Sequence, residues 1–369
     1  MISFGHIHLP ALGVGAAAGF LMHRSGFCLV CPFRDLFLFR DGFPARILLL
    51  AVVTSMVLFE GARELGLLAF YPFPLLGFPS VTHLAGGGIF GVGMVLAGGC
   101  VVGVLYKMGA GSLVAGTAFL GLLAGSAAYA EFHPAWSIAR NAGKLSDGWN
   151  TIPQGLGVDP GIVVAGIAAV STVLFLRWRA EGKWSLRGSA PRGYVPKWAA
   201  AIGLSVLGTT TYVLSWMPIG ITTSYAKMAG WIESVLAPRH FASLAFYRSV
   251  ALDVVSPGTG EILRGGPAPV LDAVAAVQLP LIAGVVLGSA LSAILLKEFH
   301  VHRGIPLRQL LIGFAGGILM GLASRMGTGC NVWHLLGGVP ILATPSLLFA
   351  AGLFPGAWAG SHLLRKIIV

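Results

Sequence analysis

The chain has 369 residues, of which 56% are hydrophobic and 10% charged, and its mean hydropathy is +0.84. This composition is far too apolar for a soluble globular protein of this length and indicates an integral membrane protein surrounded by lipid. The net charge of +11 does not indicate a nucleic-acid partner, because the basic residues lie in short segments between apolar runs rather than along one hydrophilic face.

Nine apolar runs along the chain approach the roughly 20 residues that are needed to cross a bilayer. They cover about residues 8–23, 46–62, 84–99, 112–130, 160–178, 197–215, 273–297, 308–324 and 344–364. The first run lacks a positively charged flank and a small-residue cleavage site, so we do not interpret it as a signal peptide. The sequence therefore predicts an all-α polytopic membrane protein with about nine transmembrane helices.

The basic residues predict how these helices are oriented. The loop at 177–197 carries six lysines and arginines against the single acidic residue Glu181, and such an excess marks the cytoplasmic side of a membrane. Counting spans outwards from this loop places the C-terminus, with Arg365 and Lys366, in the cytoplasm and the N-terminus outside. The segments at 131–159 and 231–272 are then external.

The order of the spans suggests an internal repeat. If the fifth span is a linker, four spans lie on each side of it, and the two halves must have opposite orientations, as in many transporters. We therefore divide the chain into an N-terminal half at 1–159, a linking span with a basic loop at 160–196, and a C-terminal half at 197–369.

Three of the four cysteines end the same pattern, Gly-x3-Gly-x8-Cys. The three copies are Gly15, Gly19 and Cys28; Gly87, Gly91 and Cys100; and Gly317, Gly321 and Cys330. Gly-x3-Gly alone indicates close helix packing in lipid, so the attached cysteine makes the repeat informative. A fourth copy should follow the sixth span, where Gly220-Ile221-Thr222 matches GFC at 26–28 and makes Thr222 the candidate equivalent of a cysteine.

A short stretch of roughly ten residues follows each of these four positions, which is too short to span a bilayer. We predict short re-entrant helices there, with each cysteine at or near a helix start. Gly98-Gly99 and Thr328-Gly329 would break the preceding helices. Because a helix start favours an anion and a thiolate, four such ends near one midplane would form an anion site.

Charged and polar residues near the cysteines are further candidates. Arg24 and Arg325 precede Cys28 and Cys330 at depths where a charge is usually functional or paired, although snorkelling to the interface would also explain them. Lys107, like Lys227, could attract an anion. His334 follows Cys330 and is either a proton or ligand group or a satisfied core histidine.

The sequence contains no convincing nucleotide-binding loop, zinc-protease motif, nucleophile elbow or pair of catalytic carboxylates. We therefore expect neither an ATP-driven pump nor an enzyme, and no cofactor or metal. Cys28 and Cys31 nevertheless form a Cys-x2-Cys motif, which is typical of redox or metal-binding sites.

The segments GFC at 26–28, AGGC at 97–100 and RMGTGCN at 325–331 resemble the sulfur-transport repeats of the YeeE/YedE family of bacterial inner-membrane transporters. The resemblance implies an hourglass-shaped fold of nine spans and short inner helices in two pseudo-symmetric halves. It also implies uptake of thiosulfate, or of a selenium compound, past Cys28, Cys100 and Cys330. A cytoplasmic sulfur-acceptor protein would be a possible partner.

Four mechanistic alternatives stay open at this point. The anion could pass by transient thiol contacts, or its terminal sulfur could transfer to a cysteine as a persulfide. A membrane thiol oxidoreductase would instead use Cys28 and Cys31 with a quinone, which redox titration would detect. A soft-metal channel would use cysteines, His334 and methionines as ligands, which metal analysis would detect.

Overall fold

A computed structural model describes residues 7–184, 191–255 and 260–368. Helices dominate these residues. Those of the first half and the linker are α1 (His8–Ser25), α2 (Cys31–Leu38), α3 (Phe43–Glu64), α4 (Thr82–Leu96), α5 (Val101–Gly109), α6 (Leu113–Ala142), α7 (Ile152–Leu156) and α8 (Pro160–Ala180). Part of the predicted basic loop, including Arg187, lies outside the described residues.

The second half is also mainly helical. Its helices are α9 (Lys197–Ser215), α10 (Thr222–Leu236), α11 (Pro238–Ser243), α12 (Ala273–Leu295), α13 (Leu307–Met326), α14 (Asn331–Trp333) and α15 (Thr344–Ile368). A π-helical turn, His334–Gly338, follows α14. Strands β1 (Leu252–Val255) and β2 (Ile262–Gly265) pair antiparallel, with Leu252 opposite Gly265.

Within the described residues, eight helical segments are long and apolar enough to cross a membrane. They correspond to the second to ninth predicted spans, with α4 and α5 counted as the single segment Thr82–Gly109. The prediction of an all-α multi-pass membrane protein is therefore confirmed. The first predicted span, the 18-residue α1, is not among the eight, so the number nine stays a prediction.

Two predicted external segments contain more structure than the sequence indicated. Helix α6 continues to Ala142, well beyond the predicted end near residue 130, and Trp136 there donates a hydrogen bond to the Met326 carbonyl at 3.1 Å. This contact with the end of α13 explains why the helix extends past its apolar run. The segment at 231–272 contains the β-hairpin, and Leu252 and Leu263 of that hairpin pack against the apolar start of α1.

The Gly-x3-Gly part of the repeat brings helices into backbone contact, as predicted. Helix α1 packs along α12, α4 along α15, and α13 along α6. A β carbon at Gly19, Gly87 or Gly317 would lie only 2.1 Å from a carbonyl oxygen of the partner helix. The partner helices present Gly-x3-Gly pairs of their own at 284 and 288, 352 and 356, and 121 and 125. Glycine is required because any side chain would separate the backbones.

The same turn ends all three of these repeat helices. Gly26 follows α1 with φ 59°, Gly98 follows α4 with φ 63°, and Thr328 follows α13 with φ 58°. Each of these left-handed residues stands two positions before a cysteine of the repeat. Because the left-handed conformation reverses the chain at a helix end, the repeat delivers each thiol to the same place relative to its packed helix.

Candidate functional site

Two of the repeat cysteines begin helices in the middle of the protein. Cys100 caps α5, and its sulfur accepts a hydrogen bond from the Gly103 amide at 3.3 Å. Cys330 occupies the same position before α14. Both residues are completely buried. Cys28 differs, because it lies in the turn before α2 and Cys31 is the first residue of that helix.

The four thiols follow one another through the protein. The thiols of Cys28 and Cys330 both lie within electrostatic range of the Cys100 thiol. The Cys28 thiol in turn lies beside that of Cys31. All four cysteines are free, and Cys28 and Cys31 are half-buried. The thiols therefore lie near one another, with Cys330 and Cys100 deeply buried and Cys28 and Cys31 partly exposed.

A cavity of about 410 Å3 lies at the Cys330 end of this series, and we call it the arginine cavity. Arg325 lies within electrostatic range of Cys330. Its guanidinium donates to the Thr223 hydroxyl at 3.2 Å and also to the Thr222 hydroxyl, while its Nε has no hydrogen-bond partner. Thr222 thus lies at the start of α10, as predicted for the fourth position, and holds the buried cation in place. Its equivalence to a cysteine stays a prediction.

The arginine cavity also has other polar groups on its wall. Among them are Tyr129, His133, Arg140, Gln278, Thr328 and Trp333. The wall carries the positive charges of Arg325 and Arg140, and we find no carboxylate among its residues in the described part of the chain. Such a concave surface of one charge sign concentrates anions.

A second cavity, of about 620 Å3, lies at the Cys28 end, and we call it the lysine cavity. Lys107 lines it, lies within electrostatic range of Cys28, and donates a hydrogen bond to the Gly98 carbonyl at 2.5 Å. The predicted cation therefore also fixes the turn that leads to Cys100. The remaining polar wall is formed by His23, Tyr106, Ser112, Tyr194, Glu298, His300, His302 and Gln309.

Arg24 makes contacts that join helix ends. Its Nε donates to the Ser292 hydroxyl at 3.2 Å, and its Nη1 donates to the Gly193 carbonyl at 2.5 Å. The guanidinium also lies over the ring of Phe20, 5.0 Å from its centre. These contacts link α1 to α12 and to the segment before α9, and a role of Arg24 in substrate binding stays a prediction.

Lys227 and His334 are both buried and fully partnered. The Lys227 ammonium lies 2.6 Å from the Asp272 carboxylate and also donates to the Ala268 carbonyl at 2.8 Å. The His334 ring nitrogens bond the Ser346 hydroxyl at 2.8 Å and the Gly327 carbonyl at 2.9 Å. His334 is therefore a satisfied core histidine that supports the turn before Cys330, which was one of the two interpretations of the sequence.

A small apolar void lies next to segments that carry the repeat cysteines. This void has a volume of only about 20 Å3, and apolar side chains line it. Leu29, Val102 and Val332, which are neighbours of the repeat cysteines in sequence, form part of that wall. Because Cys100 and Cys330 are completely buried, solvent does not reach these two thiols.

Groups of side chains that could hold a metal ion lie away from the thiols in the described part of the chain. One group consists of Glu131, Glu233 and His240, and the other is formed by carboxylates at 60, 64 and 159. Neither includes a cysteine or His334. These groups escaped sequence reasoning because their members are far apart along the chain.

Comparison with known proteins identifies the group to which this arrangement belongs. The sequence model of a family described as sulphur transport matches residues 24–359. The chain belongs to the sulphur transport family. This confirms the resemblance to YeeE/YedE proteins that was drawn from the three cysteine segments.

Named relatives of this family member cover nearly its whole length. It is 29% identical to the thiosulfate transporter TsuA of Spirochaeta thermophila over 368 residues, which cover 96% of this chain and 98% of the relative. It is 26% identical to the thiosulfate transporter TsuA of Escherichia coli, with coverage of 96% and 94%. A shorter match of 105 residues, covering 27% of this chain and 25% of the relative, is 30% identical to a probable transporter YedE of Salmonella typhimurium. The relatives are named as transporters, in agreement with the expectation that the chain is not an enzyme.

Proposed function

We propose that this member of the sulphur transport family takes up thiosulfate, or a closely related sulfur anion, along the series Cys330, Cys100 and Cys28. One observation carries the proposal. The three thiols are neighbours in space, and the series ends at a cavity with a buried arginine on one side and at a cavity with a lysine on the other. The curated relatives that are named thiosulfate transporters support the choice of substrate.

The chemistry of the thiols suits a sulfur anion. A thiol is a polarisable group that donates and accepts only weak hydrogen bonds, so it can hold the soft terminal sulfur of thiosulfate briefly and then release it. A series of such contacts lets the anion pass without a covalent step. The start of α5 at Cys100 adds backbone N–H groups and the positive end of a helix dipole, which offset the charge of the anion in the apolar middle.

The arginine cavity is the proposed site of arrival. Arg325 stays protonated under physiological conditions and attracts a divalent anion, and the hydroxyls of Thr222 and Thr223 keep its guanidinium in place. The anion would next meet Cys330, which lies within electrostatic range of Arg325. The lysine cavity, beyond Cys28, is the proposed exit.

This direction corresponds to uptake if the protein lies in the inner membrane of a bacterium with its N-terminus outside. The arginine cavity and the segments near 131–159 and 231–272 share one end of the molecule, and the lysine cavity shares the other end with Tyr194 of the basic loop. An introduced Glu181→Cys should therefore react with a membrane-impermeant maleimide only in opened cells. Labelling of that position in sealed cells would contradict the orientation.

The helix packing supports the division into two inverted halves. Helix α1 packs on α12 and α3 on α9, while α4 packs on α15 and α6 on α13. The four spans of the first half are α1, α3, α4 and α6, and those of the second half are α9, α12, α13 and α15. If each span is replaced by the span of the same rank in the other half, the α1–α12 pair becomes the α9–α3 pair, and the α4–α15 pair becomes the α13–α6 pair. Two halves related by a pseudo-twofold axis would produce this pattern.

Uptake of labelled substrate into host cells that lack their own thiosulfate importers tests the function. We expect uptake of thiosulfate in cells that produce the protein and no uptake of sulfate, which has no soft terminal sulfur. Uptake of selenite in place of thiosulfate would favour the selenium alternative. No uptake of either anion, with folded protein present in the membrane, would contradict the proposal.

The proximity of the Cys28 and Cys31 thiols favours a thiol oxidoreductase as the second candidate. That function requires the two thiols to form and break a disulfide in step with electron transfer to a quinone. Redox titration of the purified protein distinguishes the two functions. If the Cys28 and Cys31 dithiol reversibly forms a disulfide while it reduces a quinone to the quinol, in a protein that takes up no thiosulfate, this result would replace the transporter proposal.

A further inference from the structure

Unpartnered polar groups gather around the buried thiols. In the described residues, ten buried side-chain nitrogen and oxygen atoms have no hydrogen-bond partner. Five of them belong to four residues beside the thiols or on the wall of the arginine cavity: Tyr225, Arg325, Asn331 and Trp333. Because a buried polar atom without a partner lowers stability, such a concentration indicates groups that are kept for a ligand.

Tyr225 is the first of two such residues that face the middle of the thiol series. It lies in the first turn of α10, is completely buried, and packs its ring edge-on against Phe119 at 5.5 Å between ring centres. The side chain lies within electrostatic range of both the Cys330 and the Cys100 thiols. The hydroxyl has no partner. A tyrosine hydroxyl in this position can donate one hydrogen bond to an anion that stands between the two thiols.

Asn331 is the second residue with unpartnered polar atoms that faces the thiol series. It directly follows Cys330 as the first residue of α14, is completely buried, and lies beside the Cys100 thiol. Neither the nitrogen nor the oxygen of its carboxamide makes a hydrogen bond of acceptable geometry. The carboxamide nitrogen can donate two hydrogen bonds, and the group carries no charge that would compete with the anion.

We infer that Tyr225 and Asn331 form an oxygen-recognition site that binds the sulfonate end of a two-ended anion, while the thiols of Cys100 and Cys330 contact its terminal sulfur. This inference rests on the proposed function and specifies how the substrate is selected. Thiols alone bind soft sulfur and do not distinguish thiosulfate from hydrosulfide, which has no oxygen atoms. A buried site that donates hydrogen bonds to a substrate discriminates strongly against an analogue that lacks the acceptor.

The Tyr225→Phe variant tests the inference, because it removes only the hydroxyl. A hydrogen bond to a charged group corresponds to a loss of roughly 10- to 100-fold in affinity, so we expect KM for thiosulfate uptake to rise by roughly that factor. We also expect the melting temperature of the purified protein to stay the same or rise, since the hydroxyl has no partner to lose. A lower melting temperature would mark a structural hydroxyl and overturn the inference.

Tyr212→Phe is the matched control. Tyr212 is equally buried, but its hydroxyl donates to the Phe70 carbonyl. We expect this variant to have a lower melting temperature and an unchanged KM, which is the opposite of Tyr225→Phe. A rise in KM as large as that of Tyr225→Phe would show a general effect of losing a buried hydroxyl and would overturn the inference.

Competition with hydrosulfide separates this inference from the proposed function. Hydrosulfide should compete poorly with thiosulfate for uptake in the wild type. In Tyr225→Phe and Asn331→Leu, the affinity for hydrosulfide should be higher relative to the affinity for thiosulfate, so hydrosulfide should inhibit uptake more strongly. Wild-type protein that takes up no thiosulfate would contradict the proposed function and the inference with it. Wild-type uptake with unchanged KM and unchanged competition in both variants would overturn the oxygen-recognition site alone.

Discussion

The buried thiols of Cys100 and Cys330 differ from the half-buried thiols of Cys28 and Cys31, although three of the four come from the same repeat. Cys100 and Cys330 stand directly before helices, whereas α2 begins only at Cys31. Pro32 explains the later start, because proline is favoured in the first turn of a helix and disfavoured further inside it. A shared turn thus produces two deep thiols that exclude solvent and one shallow thiol that contacts a second cysteine.

The largest effect should come from replacing the deep thiols. We expect Cys100→Ser and Cys330→Ser each to reduce thiosulfate uptake to the background of host cells, and Cys28→Ser to be nearly as severe. Serine keeps the size and hydrogen bonding of cysteine but lacks the polarisable sulfur. Size-exclusion chromatography should show folded protein in each case. Normal uptake by both deep variants would indicate a general anion pore and make these cysteines packing residues.

The cation next to the deep thiols should give the next largest effect. We expect Arg325→Gln to raise KM by roughly 10- to 100-fold, because a hydrogen-bonded charge partner is worth about 1.5–3 kcal/mol. Arg248→Gln is the control, since Arg248 is exposed and donates to the Ser243 carbonyl at 3.3 Å. Equal changes in KM for the two variants would show that only the net charge of this end of the protein matters.

Thiol reactivity should divide the cysteines in the same way. In native protein we expect a maleimide to modify Cys28 and Cys31, which are half-buried, and to leave Cys100 and Cys330 unmodified until the protein is denatured. Peptide mass spectrometry measures each position separately. Added thiosulfate should slow the modification of Cys28. Rapid modification of Cys100 without substrate would show that the middle opens spontaneously.

Replacement of Cys31 should separate the effect of partial burial from the effect of membership in the repeat, because Cys31 is half-buried and does not belong to the repeat. We expect Cys31→Ser to keep most of the uptake activity, since Cys28 lies between it and Cys100. The measurement is the initial uptake rate beside that of Cys28→Ser. Loss of uptake as complete as in Cys28→Ser would indicate that the two thiols act as a pair and would favour a redox or persulfide step.

The smallest effect should come from replacing His240, which pairs with Glu131 at a place remote from all four thiols. The hydrogen bond to Glu131 raises the pKa of His240, and nearby negative charge adds to the effect. A raised pKa means that the protonated pair stabilises the fold below the ordinary histidine value of about 6.5 and that this contribution is lost as pH rises through the raised value. The melting temperature of the wild type should exceed that of His240→Gln only in the acidic range, with uptake unchanged. A constant difference at all pH values would contradict protonation of His240.

The sequence determined the class of the protein and its repeated device, because both depend on short-range patterns. Apolar runs of sufficient length predict helices that cross a membrane. The spacing Gly-x3-Gly puts two glycines on one face of a helix, so close packing of α1, α4 and α13 followed from the pattern alone. The fixed distance from that pair to the next cysteine also placed each thiol at a helix end.

The tertiary structure alone decided which of these groups meet. Arg325 and Thr222 are about a hundred residues apart along the chain, and nothing local in either segment indicates their hydrogen bond. The same holds for Tyr225, because nothing in its own segment indicates that its hydroxyl lies near two thiols and has no partner. His334 shows the converse, because both of its ring nitrogens have hydrogen-bond partners. Whether a polar side chain is satisfied or left for a ligand depends on neighbours that only the folded chain brings together.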